Sequence, residues 1–174
     1  MGKFGDFNFE FILTCINKPE KDIHVDEEVI FSGVVSERED YEAIFLRDIK
    51  KSGKNLIGKK ISLEQVQRKL IDNERNTEQQ QTVLICVHGF NFTPGSQLDQ
   101  CNEAYGKFKK FKLIPVIWPT KGRVSAYCSN RQEVSVKAAK AFLFKLSGHT
   151  NQLSKFIMGH SMGNRVLRLF ASEQ

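Results

Sequence analysis

Residues 159–163 read G-H-S-M-G, which places Ser161 between two glycines in the pattern G-x-S-x-G. The apolar run Phe156–Met158 precedes this pattern, and an apolar pattern of helical spacing follows it. A strand, a turn too sharp for side chains at Gly159 and Gly163, and a helix together expose a serine hydroxyl at the end of a sheet. The positive end of the helix dipole would lie beside it. The pattern predicts that Ser161 is a nucleophile, and the competing interpretation is a turn that only reverses the chain.

A second group of residues could stabilise the negative charge that such a nucleophile creates on its substrate. His88, Gly89 and Phe90 follow the buried apolar run 83–87. Enzymes with this kind of turn hold the oxyanion with two backbone N–H groups, one after the nucleophile and one in such a loop. The amides of Met162 and Phe90 are the candidates. Gly89 would let the loop approach the serine closely, and the ring of His88 is predicted to brace the loop rather than exchange protons.

These residues belong to three longer motifs, which occur in order along the chain: V-L-I-C-V-H-G-F-N at 83–91, I-W-P-T-K-G at 117–122 with Tyr127 beyond it, and I-M-G-H-S-M-G-N-R-V-L at 157–167. Together they resemble the alpha/beta-hydrolase superfamily. More narrowly, they are similar to a group of largely uncharacterised esterase- or lipase-like hydrolases. The resemblance covers residues 82 to about 172, and residues 1–81 match only as leading strands.

The resemblance implies an α/β fold, with a mostly parallel sheet and flanking helices. It also implies a serine hydrolase that cleaves an ester, a thioester or an amide through an acyl-enzyme on Ser161. The substrate would be a small acyl compound, and the reaction would need no metal and no organic cofactor. Gly159 and Gly163 would support the turn at Ser161. His88 and Gly89 would support the loop that follows the apolar run 83–87.

The sequence departs from the family where the catalytic acid and base are expected. The family's triad runs in the order serine, acid, histidine. No histidine follows Ser161, and the one acid after it is Glu173. Asn130, three residues after Tyr127, stands where the family often has aspartate. The other histidines are poor candidates for the base because of their positions in the chain: His24, His149 and His160.

This departure leads to two expectations. In the first, the chain is the front part of a hydrolase fold, truncated after the nucleophile helix, and lacks the acid and the histidine. In the second, it is a catalytically inactive remnant or an interaction module. Either way, Lys155–Met158 would form an uncovered apolar edge of the sheet, through which the chain could form a homo- or hetero-oligomer.

The elements that would position these residues fall into two parts, 1–81 and 82–174. In the first part, three runs read as antiparallel strands, at 7–15, 29–35 and 43–46. Lys50–Lys60 holds five lysines and two glycines and is predicted to be a solvated loop. Ser62 and Gln65 fit a capping box at the start of a short helix.

In the second part, strand and helix alternate three times, which predicts a partial hydrolase core with parallel strands and right-handed crossovers. The predicted elements are a strand at 83–87, a helix at 97–111, a strand at 113–118, a helix at 131–146, a strand at 156–158 and a last helix around 166–170.

Composition and charge exclude several classes of protein. The 174 residues include 26 Lys and Arg against 20 Asp and Glu, which gives a net charge of +6. Although the basic residues dominate after residue 80, no nucleic-acid-binding motif accompanies them, so the sequence argues against a nucleic-acid partner. No stretch reaches the roughly 18 apolar residues of a membrane span, and no signal peptide is visible. A cytoplasmic location is expected, with reduced thiols that lack zinc-site spacing: Cys15, Cys86, Cys101 and Cys128.

Overall fold

The computed structural model describes residues 9–17, 19–33, 41–75, 82–89, 93–105, 111–119 and 155–172. Within these ranges the elements, in chain order, are β1 (Phe11–Asn17), β2 (Glu28–Phe31), β3 (Tyr41–Ser52), β4 (Asn55–Ile61), α1 (Leu63–Arg75), β5 (Thr82–Val87), α2 (Pro94–Tyr105), β6 (Phe111–Ile117), β7 (Lys155–Gly159) and α3 (Gly163–Ala171).

The strands form one sheet in the order β2-β4-β3-β1-β6-β5-β7. The first four strands in chain order pair antiparallel with one another, whereas β5 pairs parallel with both β6 and β7. β1 joins the two halves of the sheet because it pairs antiparallel with β3 and parallel with β6. The predicted α/β fold with a mostly parallel core and flanking helices is therefore confirmed.

β5 is apolar from Val83 to Val87 because helices cover both faces of the sheet around it. Ile85 packs in a cluster with Val66 of α1 and Val166 of α3. Leu84 points to the other face, where it packs in a cluster with Leu98 of α2. Each of these side chains is at most 5 % exposed. The carboxyl end of β5 thus lies between two hydrophobic clusters.

Short-range signals set where two of the helices begin. The amide of Ser62 donates to Gln65 Oε1 at 3.0 Å, and the amide of Gln65 donates to Ser62 Oγ at 3.2 Å. This is the reciprocal capping box that the sequence predicts for α1. α2 begins at Pro94, where a fixed φ and a missing N–H suit the first helical position. It therefore starts before the predicted residue 97 and ends at Tyr105, short of Phe111, which begins β6.

The prediction of a solvated loop at Lys50–Lys60 is wrong. These residues form the end of β3, a tight turn and most of β4, which pair antiparallel. Gly53 takes a φ of +59° in the turn. Leu56 and Ile61 are buried while Lys59 is exposed. Lysines can occupy these strands because a half-buried strand needs apolar side chains on one face only.

Other boundaries differ from the sequence prediction by a few residues. The first strand begins at Phe11 rather than at residue 7. The predicted helix at 131–146 lies outside the described residues. None of the helices in the described ranges combines the length and the apolarity needed to cross a membrane.

Candidate active site

The G-x-S-x-G segment forms the sharp turn that its sequence predicts. β7 ends at Gly159 and α3 begins at Gly163. Ser161 is exposed and takes a φ of +50°, a left-handed conformation that costs a residue with a side chain roughly 1 to 3 kcal/mol. The amide of His160 donates to the carbonyl of Val87 at 3.0 Å, which ties the turn to the end of β5.

Both glycines of the turn lie close to neighbouring atoms. A Cβ on Gly159 would lie 2.7 Å from Leu167 Cδ1. A Cβ on Gly163 would lie 2.3 Å from the carbonyl oxygen of Val87 and 2.8 Å from that of His88. No side chain fits at 2.3 Å from a backbone oxygen. Glycine at 163 thus lets α3 pack directly onto the end of β5 and the loop that follows it.

The loop after β5 lies against the serine. A Cβ added to Gly89 would be 3.0 Å from Ser161 Cβ and 3.0 Å from the carbonyl oxygen of His160. The structure therefore brings together two segments that are about 70 residues apart in the chain. Phe90, which was predicted to contribute an amide, lies outside the described residues.

The amide of Met162 is one of the two amides that the sequence predicts to bind the oxyanion. Met162 is buried and precedes the first residue of α3, where helix N–H groups have no intrahelical acceptor. The amides of Gly163, Asn164 and Arg165 donate to the carbonyls of the turn. By contrast, the Met162 amide meets no acceptor among the residues that the structure describes. Its dipole and that of α3 favour a negative charge at this point.

His88 is held neutral beneath the loop. Its Nε2 accepts the backbone N–H of Trp118 at 3.3 Å, so the ring proton resides on Nδ1, which donates to the carbonyl of Gly89. The two rings stack with centroids 5.4 Å apart. Burial lowers the pKa of His88 to about 3, because a charged imidazolium would lose its hydration there. The ring is therefore positioned to hold the loop, and both of its nitrogen atoms are occupied.

Trp118 is a residue of this site that the sequence left without a role, although it lies in one of the three motifs. Its indole N–H donates to the carbonyl of His88 at 3.1 Å, in addition to the backbone bond to the ring. This pairing follows from the parallel register of β5 and β6, in which Val87 lies opposite Val116. No short-range signal in the sequence could have revealed it.

The other candidate residues are not brought to the serine. His160 is exposed, and His24 lies in the turn before β2, at the opposite end of the sheet from β7. No side chain in the described ranges hydrogen-bonds to Ser161 Oγ. The positions outside the described residues are Tyr127, Asn130, His149 and Glu173.

A cavity of about 350 Å³ lies between the end of β5 and α2, beside the turn. Its lining combines two histidines, two thiols, polar side chains and small apolar ones: Cys86, Val87, His88, Gln100, Cys101, Glu103, Ala104 and His160. Among the described residues, no three His, Cys, Asp or Glu side chains are grouped so that they could hold a metal ion.

One comparison with known proteins identifies a relationship. A family model described as alpha/beta hydrolase of unknown function (DUF900) matches residues 63–172, which contain all of the site described above. No curated protein and no solved structure matches the chain.

Proposed function

Because the chain belongs to the alpha/beta hydrolase family of unknown function, DUF900, we propose that it is a serine hydrolase whose nucleophile is Ser161. The observation that carries the proposal is the conformation of this serine. It is exposed, has a φ of +50° and lies where β7 turns into α3. Strained residues of this kind persist where the surrounding structure holds them, and they concentrate at active sites.

In the proposed reaction, Ser161 Oγ attacks the carbonyl carbon of an ester, a thioester or an amide and loses its proton to a base. The carbonyl oxygen becomes an oxyanion, which the amides of Met162 and Phe90 would bind. Each such donor contributes roughly 3 to 4 kcal/mol to the transition state. Collapse of the intermediate expels the leaving group, and water then hydrolyses the acyl-enzyme on Ser161. Within this class, an esterase or lipase activity on a small acyl substrate is the narrower proposal.

His88 does not act as the base in this scheme. Its pKa is lowered to about 3, and its two ring nitrogens are engaged by Trp118 and Gly89. We assign it instead to holding the loop from which one oxyanion amide is expected. Among the described residues none is assigned as the base or the acid of the reaction, since none of the described histidines hydrogen-bonds to the serine.

A fluorophosphonate probe tests the proposal, because it reacts covalently with activated serines. We expect the wild-type chain to be labelled, with the label mapped to Ser161 by mass spectrometry, and Ser161→Ala to remain unlabelled. Ser172→Ala is the matched control, since Ser172 is an exposed serine at the far end of the same helix. It should label like the wild type. Equal labelling of the wild type and Ser161→Ala by the probe would show that Ser161 is not activated.

The position of β7 at the edge of the described sheet favours a second candidate, an interaction module that binds another chain through this strand. Within the described ranges β7 pairs with β5 alone, and it exposes Phe156 by 58 % and Met158 by 44 %. An apolar edge strand with unpaired backbone groups can add a strand from a partner.

Light scattering during size-exclusion chromatography tests this candidate. A dimer mass that falls to the monomer mass in Phe156→Glu supports it, provided that Ile30→Glu, on the exposed face of β2 at the opposite edge of the sheet, leaves the mass unchanged. A monomeric wild-type chain would rule out self-association through this edge. The fluorophosphonate result is independent of this measurement.

A further inference from the structure

The cavity beside the proposed nucleophile has a buried floor and an exposed rim. Buried residues at the end of β5 and in α2 form the floor, among them Cys86, Val87 and Cys101. Exposed residues form the rim: Gln100, Glu103, Ala104 and His160. An apolar wall with a few polar groups at its mouth is typical of sites that bind small molecules.

This cavity lies next to Ser161. His160, which lines the cavity, directly precedes Ser161 in the turn. The ring of His160 also lies against the loop after β5, because a Cβ added to Gly89 would be 3.2 Å from His160 Nδ1. The same Cβ would be 3.0 Å from Ser161 Cβ. The mouth of the cavity is therefore within reach of a small molecule that reacts at Ser161.

Glu103 gives the rim a negative charge that no described cation balances. α2 contains two carboxylates, Asp99 and Glu103, and no lysine or arginine. Lys51 pairs with Asp99 at 2.6 Å. By contrast, Glu103 forms no ion pair with a residue of the described ranges, and none of their lysines and arginines lines the cavity. Burial lowers the pKa of His88 to about 3, so this lining residue adds no positive charge at neutral pH.

We propose that the cavity receives a positively charged arm of the substrate, a quaternary ammonium or a protonated amine, and that Glu103 selects it. This inference rests on the proposed function, since it names the substrate class of a hydrolase whose nucleophile is Ser161. The volume of about 350 Å³ limits the arm to about 12 heavy atoms, at roughly 30 Å³ for each water-sized group. Because Glu103 is exposed, its ion pair favours a charged arm over an uncharged one by at most about fivefold.

A nuclear magnetic resonance titration of the full chain tests the charge preference. The ligands are choline and 3,3-dimethylbutanol, which have the same shape, although only choline carries a charge. Sodium chloride holds the ionic strength constant, because added salt screens exposed charges. The backbone amides of Cys86 and Ala104 report on the floor and the rim of the cavity. We expect choline to bind about fivefold more tightly than the alcohol.

Three variants identify the source of this preference. Glu103→Gln should bind choline and the alcohol with equal affinity. Glu64→Gln is the matched control, because it removes the same charge from an exposed position of α1, on the opposite face of the sheet from α2. It should keep the fivefold preference. Ala104→Trp should weaken the binding of both ligands, since the added ring would occupy the cavity.

The fluorophosphonate probe tests whether the cavity and the serine belong to one site. Choline at ten times its dissociation constant should slow the labelling of Ser161 by about tenfold, because the probe and choline would compete for the same space. Labelling at the full rate while choline is bound would overturn the inference, since the cavity would then not hold an arm of the substrate.

Two results of the titration would also overturn it. One is that the wild-type chain binds choline no more tightly than the alcohol, and the other is that the preference persists in Glu103→Gln. The titration does not depend on the reactivity of Ser161, so the two proposals can fail separately. A preference that depends on Glu103 in a chain whose Ser161 is never labelled contradicts the proposed function alone. Labelling of Ser161 without any preference for choline contradicts only the present inference.

Discussion

Replacing His88 by asparagine should change how the stability of the protein depends on pH. Burial lowers the pKa of His88 from 6.5 to about 3 in the folded chain, whereas an unfolded chain exposes the ring to water. Below pH 6.5 the unfolded state therefore binds a proton that the folded state does not bind until about pH 3. The stability contributed by His88 is complete above pH 6.5 and is lost as the pH falls.

The size of this loss follows from the two pKa values. One pKa unit corresponds to about 1.4 kcal/mol, so the full difference amounts to about 5 kcal/mol near pH 3. Between pH 7 and pH 5 the loss is about 2 kcal/mol for this one residue. That is a large share of the roughly 5 to 15 kcal/mol by which a folded domain is usually stable. In urea unfolding, the loss of about 2 kcal/mol corresponds to a midpoint that is lower by about 1 M.

The assay is urea unfolding of the wild type, His88→Asn and His24→Asn at pH 7 and pH 5. Circular dichroism is the readout. Tryptophan fluorescence is avoided because the substitution at His88 alters the surroundings of the single tryptophan, Trp118. His88→Asn should be less stable at both pH values, since the Trp118 amide and the Gly89 carbonyl lose partners worth roughly 1 to 3 kcal/mol each when buried. The prediction concerns the change between the two pH values.

From pH 7 to pH 5, the free energy of unfolding of the wild type should fall by about 2 kcal/mol more than that of His88→Asn. His24→Asn should lose as much as the wild type, because His24 is exposed at a turn. Equal losses in the wild type and in His88→Asn would refute the assignment of His88 as a buried neutral ring.

Two glycine substitutions test the contacts around the proposed nucleophile. In Gly163→Ala the new Cβ would lie 2.3 Å from the Val87 carbonyl oxygen, so α3 must move away. We expect a loss of about 3 kcal/mol and a Tm lower by about 6 to 12 °C in calorimetry, and an unchanged Tm would contradict this packing. In Gly89→Ala the new Cβ would lie 3.0 Å from Ser161 Cβ, so the loop must shift slightly. The fluorophosphonate labelling rate should fall by about tenfold, and labelling at the wild-type rate would show that the loop does not press on the serine.

Short-range patterns predicted the parallel half of the fold. The apolar run of β5 and the capping box of Ser62 and Gln65 each depend on residues close together in sequence, and both are observed. The hairpin of β3 and β4 does not follow from the sequence pattern, because its five lysines suggest full solvation. Its strand character comes from Leu56 and Ile61, which are buried by neighbouring strands and not by anything local.

The sequence by itself determined the sharp turn at Ser161. Glycines at 159 and 163, an apolar strand before them and an apolar helix after them leave the chain few alternatives, because backbone sterics act over a few residues. Only the tertiary structure decided the state of His88 and its contact with Trp118. Both depend on the register between β5 and β6, which joins residues far apart in the chain. Burial then determines the chemistry of His88, since a pKa responds to the surrounding atoms rather than to neighbours in sequence.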